Sequence, residues 1–224
     1  MYLSYYGHSC ILIEGSKRVL IDPFIPSGDT PPNCDIVCVT HGHADHLGET
    51  VSLKHKTVAP NELAKYLADL GVPAEALNIG GGVTIDGVRI IMTQAIHSSW
   101  IEDADGGYYG GPAAGYIIKM DGVTFYHAGD TALFSDMKLI RDLYHPDVAL
   151  LPIGDRFTMG PDEAMIAAHY IGAPLVIPIH YNTWEKIAQD PESFKHAIEK
   201  TTDMRVAIPA PGERMEILDA NAHK

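Results

Sequence analysis

The stretch His41-Gly-His-Ala-Asp-His46 places three imidazoles and one carboxylate within six consecutive residues. It comes directly after Asp35–Thr40, a compact apolar run that predicts a strand buried on both faces. Alternate residues of an extended segment point to the same side, so the first two histidines are positioned to bind one metal ion together. The turn that follows directs Asp45 and His46 toward a second position. Because imidazole and carboxylate suit zinc, iron or manganese, the stretch predicts a metal centre at the end of a strand.

The remaining ligands are expected on other strands, because one loop does not supply enough side chains for two metal ions. His97, Asp130 and His180 each come shortly after an apolar run that predicts a strand. Loops held at the ends of strands are a common location for functional side chains. These three residues are therefore the best candidates to complete the centre.

Strand and turn patterns divide the chain into two halves of similar layout. Short apolar runs separated by glycine turns predict strands throughout the first third, and Asp86-Gly87 and Asp121-Gly122 predict two tight hairpins. From Leu133 onward, predicted helices alternate with buried strands. This α/β (α+β) layout predicts two mixed sheets packed face to face with helices outside, in a single domain spanning residues 1–224. The edge strand predicted over Met215–Leu218 is free to pair with a second copy or to be covered, so a homo-oligomer stays open.

Composition argues against several classes of protein. The chain has 16 Lys and Arg against 29 Asp and Glu, a formal net charge of −13. Nucleic acids are bound chiefly through Lys and Arg, so no nucleic-acid partner is expected. The first residues lack a signal-peptide pattern, and no apolar stretch approaches the roughly 20 residues that span a membrane. With Cys10, Cys34 and Cys38 expected to be reduced and buried, we expect a cytoplasmic protein with no membrane partner.

The ordered motifs of the chain resemble those of the metallo-β-lactamase superfamily. The resemblance is carried by His41–His46, by the turn Gly129-Asp130-Thr131 and by His180 at the end of a late strand. Further motifs are similar to those of a bacterial and archaeal branch of metal-dependent hydrolases related to ascorbate-6-phosphate lactonase. These motifs are Tyr6-Gly-His-Ser9, Leu20-Ile-Asp-Pro-Phe24, Tyr126-His-Ala-Gly-Asp-Thr131, Leu151-Pro-Ile-Gly-Asp155, Phe157-Thr-Met-Gly-Pro161 and Pro178-Ile-His-Tyr-Asn182. The resemblance covers nearly the whole chain and implies the four-layer αββα sandwich of that superfamily, but it brings no settled substrate.

By this resemblance, the chain binds two divalent metal ions. His41, His43 and His97 would hold the first ion, Asp45, His46 and His180 the second, and Asp130 would bridge them. Zinc is the expected metal, and manganese and iron suit the same ligands. Two such ions, roughly 3.5–4 Å apart, share a hydroxide. The implied reaction is attack of that hydroxide on an ester, lactone, amide or phosphodiester bond of a small-molecule substrate.

Other residues of these motifs are candidates for catalysis and substrate binding. The resemblance places His8 near the metals, where it would donate a proton or hold substrate, and a structural hydrogen bond is an equally good interpretation. Asp45 is assigned a catalytic role in addition to metal binding. The candidate substrate-binding residues are Asp155, Thr158 and Asn182. If Arg156 reaches the pocket, it would favour an anionic group on the substrate.

Two further features have roles that the sequence leaves open. His127 comes three residues before Asp130, where it would either orient a metal ligand or serve a structural purpose. The glycine-rich stretch Asp105-Gly-Gly-Tyr-Tyr-Gly-Gly111 follows His97 and predicts a loop. We hypothesise that this loop acts as a lid.

Three other functions compete with that of a small-substrate hydrolase. A metallo-nuclease or phosphodiesterase of the same superfamily is disfavoured by the low basicity of the chain. A mononuclear iron oxygenase of sulfur compounds would need fewer ligands than the chain supplies, since His46 and His180 support two metals. A binding protein that keeps the fold without catalysis is the third alternative.

Overall fold

The computed structural model describes residues 1–104 and 106–217. In chain order its strands are β1 (Tyr2–Tyr5), β2 (Ile11–Glu14), β3 (Arg18–Ile21), β4 (Ile36–Cys38), β5 (Lys56–Pro60), β6 (Ala74–Leu77), β7 (Gly82–Ile85), β8 (Val88–Gln94), β9 (Trp100–Ile101), β10 (Tyr108–Tyr109), β11 (Ala114–Met120), β12 (Val123–His127), β13 (Val148–Pro152), β14 (Leu175–Ile179), β15 (Arg205–Val206) and β16 (Arg214–Glu216). The helices are α1 (Ala44–Leu47), α2 (Thr50–Leu53), α3 (Asn61–Asp69), α4 (Met137–Tyr144), α5 (Pro161–Ile171) and α6 (Pro191–Thr201), and Glu185–Ile187 form a 3₁₀ turn.

The strands form two seven-stranded mixed sheets with matching layouts. The first sheet has the order β16-β1-β2-β3-β4-β5-β6, and the second has the order β15-β14-β13-β12-β11-β8-β7. In the first sheet β1, β2 and β3 pair antiparallel, whereas β3 to β6 pair parallel. In the second sheet β7, β8, β11 and β12 pair antiparallel, and β12 to β15 pair parallel. This repeat of layout explains why the two halves of the sequence show similar patterns.

Alternating side chains build the layers of the molecule. Because successive residues of a strand point to opposite faces, Ile36 and Cys38 of β4 enter the core between the sheets while Val37 faces outward. The central core takes apolar side chains from both sheets. The outer face of the first sheet packs with α3, and that of the second packs with α4, α5 and α6. The predicted arrangement of two mixed sheets with outer helices is confirmed.

Several strands escaped prediction because pairing, rather than local sequence, creates them. β6 has the sequence Ala-Glu-Ala-Leu, in which Ala and Glu favour helices, yet it forms the edge of the first sheet beside β5. β9 and β10 are two-residue strands of a hairpin inside the predicted loop 105–111 and the segment before it. The strand predicted over Met215–Leu218 is shorter, because β16 ends at Glu216 and Leu218 lies outside the described residues.

The structure also bears on the predictions about the cysteines and about membrane-spanning segments. Cys10, Cys34 and Cys38 are buried free thiols, as predicted. Over the described ranges, none of the helices has the length and apolar character needed to cross a membrane.

Candidate metal centre

The loops that follow strands in both sheets bring the seven predicted ligands together. The loop after β4 and the short helix α1 carry His41, His43, Asp45 and His46. His97, Asp130 and His180 follow β8, β12 and β14 of the second sheet. Their ligand atoms form groups in which all atoms lie within 4.8 Å of one another. The two sheets therefore meet at one cluster of imidazoles and carboxylates.

The first group, which we call the His41 cluster, consists of His41, His43 and His97. His41 Nε2 lies 3.0 Å from His43 Nδ1. The hydroxyl of Thr40 is 2.8 Å from the Asp22 carboxylate and 3.0 Å from His41 Nδ1. Because the carboxylate only accepts, the hydroxyl donates to Asp22 and accepts from His41 Nδ1–H. This tautomer leaves His41 Nε2 with a lone pair directed at the cluster.

The second group consists of His8, Asp45, His46 and His180, and we call its three predicted ligands, Asp45, His46 and His180, the His46 cluster. His46 Nδ1–H donates to Asp22 Oδ2 over 2.7 Å. This hydrogen bond leaves the lone pair of His46 on Nε2, the nitrogen that faces Asp130. The Asp45 carboxylate lies 4.0 Å from His180 Nε2 and is partly exposed.

Asp130 lies between the two clusters. Its Oδ2 is 3.0 Å from His180 Nε2, 3.3 Å from His46 Nε2 and 3.7 Å from His97 Nε2. The preceding Gly129 has φ +64°, and a Cβ there would collide with the carbonyl oxygen of Ala114. Only glycine fits this turn without strain, and the turn is what directs Asp130 inward.

Burial and charge act against each other in the cluster. Burial lowers the pKa of His41 well below its usual value, and burial likewise lowers the pKa of His43 and His97. Burial alone would raise the pKa of the Asp130 carboxyl, but His46 and His180 outweigh it and hold that pKa well below the usual range. The His41 cluster thus favours neutral imidazoles and Asp130 favours an ionised carboxylate, which are the forms that bind metal ions. Asp130 and Asp22 act in the opposite direction on His46 and, against its burial, raise its pKa well above the usual value.

Two buried atoms test whether the cluster fits a metal ion. His46 Nε2 and Asp130 Oδ1 are buried and have no hydrogen-bond partner among the described residues. His46 Nε2 is near Asp130 Oδ2, but the two groups are not oriented for a hydrogen bond. Buried polar atoms without partners are costly, and a divalent cation among nitrogen and oxygen donors would satisfy them. The residues therefore fit a metal centre.

Buried polar side chains behind the ligands hold them in place. Asp22 is fully buried and accepts hydrogen bonds from the backbone N–H of Thr40, the Thr40 hydroxyl and His46 Nδ1–H. His127 accepts from Gly129 N–H at Nδ1 and donates from Nε2 to the carbonyl of Ser9. Both ring nitrogens of His127 are thus used by backbone groups, so it supports the turn before Asp130 rather than binding a metal.

His8 links Asp45 to Thr183. His8 Nε2 lies 3.1 Å from Asp45 Oδ2, and His8 Nδ1 lies 2.8 Å from the Thr183 hydroxyl. The carboxylate only accepts, so neutral His8 carries its hydrogen on Nε2 and accepts from Thr183 at Nδ1. Burial lowers the pKa of His8 to about 4, although the hydrogen bond to Asp45 acts in the opposite direction. The lowered pKa keeps the neutral form of His8 dominant.

A cavity of about 610 Å³ opens above the clusters. It is lined by His43, Asp45, His97, Ser98, Asp130, Phe157, His180, Trp184, Glu185 and Lys186. A cavity of this size holds a small organic molecule. Metal-binding groups thus form one part of its surface, and the loops after β13 and β14 form another.

The predicted substrate-binding residues lie outside this wall. Asp155 is exposed on the loop after β13, and the Thr158 hydroxyl donates to the carbonyl of Met159. Asn182 lines a separate cavity that also contacts His8, and its side-chain oxygen accepts from Gln189 N–H. Arg156 is exposed and does not line the cavity. The loops that carry these residues also carry Phe157 and Trp184, which line the cavity. The substrate-binding roles of Asp155, Thr158 and Asn182 stay predictions.

The hairpin of β9 and β10 lies against the loop that carries His41 and His43. The Ser99 hydroxyl accepts from Gly42 N–H over 3.1 Å, and a Cβ at Gly42 would collide with Ile101. Asp105 lies outside the described residues, and none of the described residues 106–111 lines the cavity. The hairpin is therefore placed to support the metal-binding loop, whereas its predicted action as a lid stays a hypothesis.

Comparison with known proteins identifies the class to which this fold and centre belong. The family model described as "Beta-lactamase superfamily domain" matches residues 10–181, and the chain belongs to this family. Within it, the chain is 63% identical over 217 residues to a UPF0173 metal-dependent hydrolase of Methanoculleus marisnigri, covering 97% of each chain. The predicted resemblance is confirmed at the level of the superfamily and of this branch of metal-dependent hydrolases.

Solved structures agree with this assignment. Igni18, a metallo hydrolase of the archaeon Ignicoccus hospitalis, matches with a TM-score of 0.86 and 34% identity, over 97% of this chain and 99% of that one. An isothiocyanate hydrolase from Delia radicum gut bacteria matches with a TM-score of 0.74 over 97% of this chain and 99% of that one. At 18% identity, the second match shows the fold alone. The chain is a metal-dependent hydrolase of the metallo-β-lactamase superfamily.

Proposed function

We propose that the chain is a dinuclear hydrolase of small organic substrates. The single observation that carries this proposal is the position of Asp130, whose Oδ2 lies within 3.7 Å of imidazoles from both clusters. The His41 cluster would hold one ion and the His46 cluster a second, with Asp130 shared. A mononuclear centre would leave one of these two groups of ligands without a role. Zinc is the proposed metal, with manganese or iron as alternatives for the same donors.

When bound, two such metal ions supply a hydroxide near neutral pH and stabilise negative charge on the substrate oxygen. The bond that breaks is the acyl C–O, acyl C–N or P–O bond of an ester, lactone, amide or phosphodiester. Water adds across that bond: its OH goes to the acyl or phosphoryl group, and its proton goes to the leaving group.

The chain's own residues orient the reacting groups. Asp45 lines the cavity and accepts a hydrogen bond from His8 Nε2–H, so its carboxylate is held in one orientation. His8 is only 1% exposed and does not line this cavity. We therefore assign His8 to positioning: it holds a proton beside Asp45, rather than contacting substrate. Asp45 is the catalytic member of the pair.

The charge of the chain supports a small substrate over a nucleic acid. The net charge is −13, and Lys186 is the one lysine or arginine among the described residues that line the cavity. A phosphate backbone needs a row of cations.

Three further expectations stay predictions: a cytoplasmic location, the absence of a membrane partner and a possible homo-oligomer.

Hydrolysis assays run in parallel with and without oxygen test the proposed function. The panel would contain p-nitrophenyl acetate, a γ-lactone, an anilide and bis(p-nitrophenyl) phosphate, each assayed with protein before chelation, after chelation and after return of zinc or manganese. We expect turnover of at least one bond class that is lost on chelation and restored by metal. Turnover that requires oxygen would favour the oxygenase alternative, and no turnover of any substrate by fully loaded protein would contradict a hydrolase of this range.

A further inference from the structure

Two aromatic side chains line the cavity although the hydrolytic chemistry does not use them. Phe157 is 48% exposed and Trp184 is 36% exposed, and both lie in the wall of the cavity that contains the metal-binding groups. Large aromatic side chains gain free energy from burial, so their exposure in a cavity marks a surface suited to an apolar ligand.

Trp184 is held in place by the residues around the His46 cluster. Its ring lies 4.9 Å from that of His8, with an angle of 34° between the planes. The preceding residue, Thr183, bonds to His8 Nδ1, and the carbonyl of Trp184 accepts from Ile187 N–H over 3.1 Å. The indole is thus fixed before any ligand arrives, which lowers the entropy cost of binding against it.

Phe157 is on a loop that is tied to the metal-binding turn. Within the loop, Asp155 N–H donates to the carbonyl of Met159, and Met159 N–H donates to the carbonyl of Thr131. Thr131 is next to Asp130 in the chain. Because β13 and β14 are parallel neighbours, the loops that carry Phe157 and Trp184 leave the same edge of the sheet. The backbones that carry the two aromatic side chains are therefore held close to the metal centre.

The other side chains of this wall do not favour a strongly charged ligand. Glu185 and Lys186 have opposite charges and both are exposed. Their charges largely offset each other near the aromatic pair, so a substrate gains most by presenting an apolar surface there.

We propose that Phe157 and Trp184 form an aryl-binding subsite, and that the substrate is a small ester, lactone or amide whose acyl group carries an aromatic ring. The ring binds against the two aromatic side chains while the carbonyl group faces the metal centre. This inference rests on the proposed hydrolytic function, but binding at the subsite is measured without turnover.

A pair of matched ligands tests the subsite. Phenylacetate and acetate carry the same carboxylate and differ by an aryl group, and calorimetry gives their dissociation constants for metal-loaded protein. We expect phenylacetate to bind about tenfold more tightly than acetate, because its ring gains contact with the two aromatic side chains that acetate does not reach. The ratio of the acetate to the phenylacetate dissociation constant should fall to nearly one in Trp184→Ala. It should also fall clearly in Phe157→Ala.

Trp100 provides the control, because the chain has only two tryptophans and Trp100 is exposed but does not line this cavity. Trp100→Ala should keep the ratio of affinities. In Trp100→Phe, the remaining fluorescence comes from Trp184, and phenylacetate should change it where acetate does not. Equal affinities of the two ligands for wild type, no phenylacetate binding, or a ratio unchanged in both aromatic variants would overturn the subsite. If metal-loaded wild type hydrolyses none of the substrates but still prefers phenylacetate to acetate, the proposed function alone would be overturned.

Discussion

The buried carboxylate of Asp22 orders both halves of the metal centre. It accepts from His46 Nδ1–H directly and reaches His41 through the Thr40 hydroxyl. The two imidazoles therefore present Nε2 to the other metal-binding side chains because one carboxylate behind them fixes their tautomers. Asp22 was part of a recognised motif, but its role required the fold, since 24 residues separate it from His46.

Replacing Asp22 with asparagine should weaken metal binding. The amide keeps the volume and one accepting oxygen, but it removes the charge and one of the accepting oxygens that serve Thr40 and His46. We expect metal affinity to fall about tenfold to a hundredfold, as is typical when a partner behind a ligand is lost. Competition with a chromophoric chelator measures this affinity. Asp147→Asn is the matched control, because Asp147 accepts from Thr124 N–H away from the centre; equal losses in both variants would contradict a specific role for Asp22.

Thr183 should act on turnover rather than on metal content. Thr183→Val removes the hydroxyl that donates to His8 Nδ1 while keeping the shape of the side chain. His8 is then free to change tautomer or rotate away from Asp45, and we expect kcat to fall roughly tenfold with metal content unchanged. Thr158→Val is the control, since the Thr158 hydroxyl donates to the carbonyl of Met159 outside the cavity wall. Unchanged kcat in Thr183→Val, or the same loss in both variants, would argue against the positioning role of His8.

At the scale of elements, the long strands and their order were predictable and the support for the centre was not. β13 and β14 are continuous apolar runs, and their residues alternate between the two cores as the pattern requires. The candidate metal ligands could be picked out because they follow predicted strands, and the structure brings them together. Phe157 and Trp184 were not assigned a role from the sequence, because their exposure depends on the conformation of the loops after β13 and β14, which local sequence does not determine. The sign in the sequence was that Phe157 begins one recognised motif and Trp184 follows another.

The β9–β10 hairpin gives a test at this scale. Ser99→Ala removes the acceptor of the buried Gly42 N–H, which lies between His41 and His43 in the chain. A buried N–H without a partner costs roughly 1–3 kcal/mol, so the loop should lose rigidity and one metal should bind about tenfold more weakly. Titration of metal ions into protein from which a chelator has removed the metal measures the affinity of each of the two proposed sites. Ser98→Ala is the control, because Ser98 is its neighbour in the cavity wall; equal affinities in wild type and Ser99→Ala would show that the hairpin does not support the loop.

At the scale of the molecule, the centre joins the two sheets. The first sheet supplies His41, His43, Asp45 and His46, and the second supplies His97, Asp130 and His180. The matching sheet layouts place the carboxyl ends of their parallel strands at one edge, so ligands distant in the chain meet there. A metal ion bound between the sheets stabilises the folded state by mass action, since the unfolded chain does not present these ligands together.

The number of metal ions per chain tests the central claim most directly. Wild type, Asp130→Ala and the exposed control Asp155→Ala would be purified without chelators, and elemental analysis would give zinc, manganese and iron per chain. A shared carboxylate predicts close to two ions in wild type and in Asp155→Ala, and a fall to one or fewer in Asp130→Ala. One ion or fewer in wild type, with no change in Asp130→Ala, would contradict the dinuclear centre.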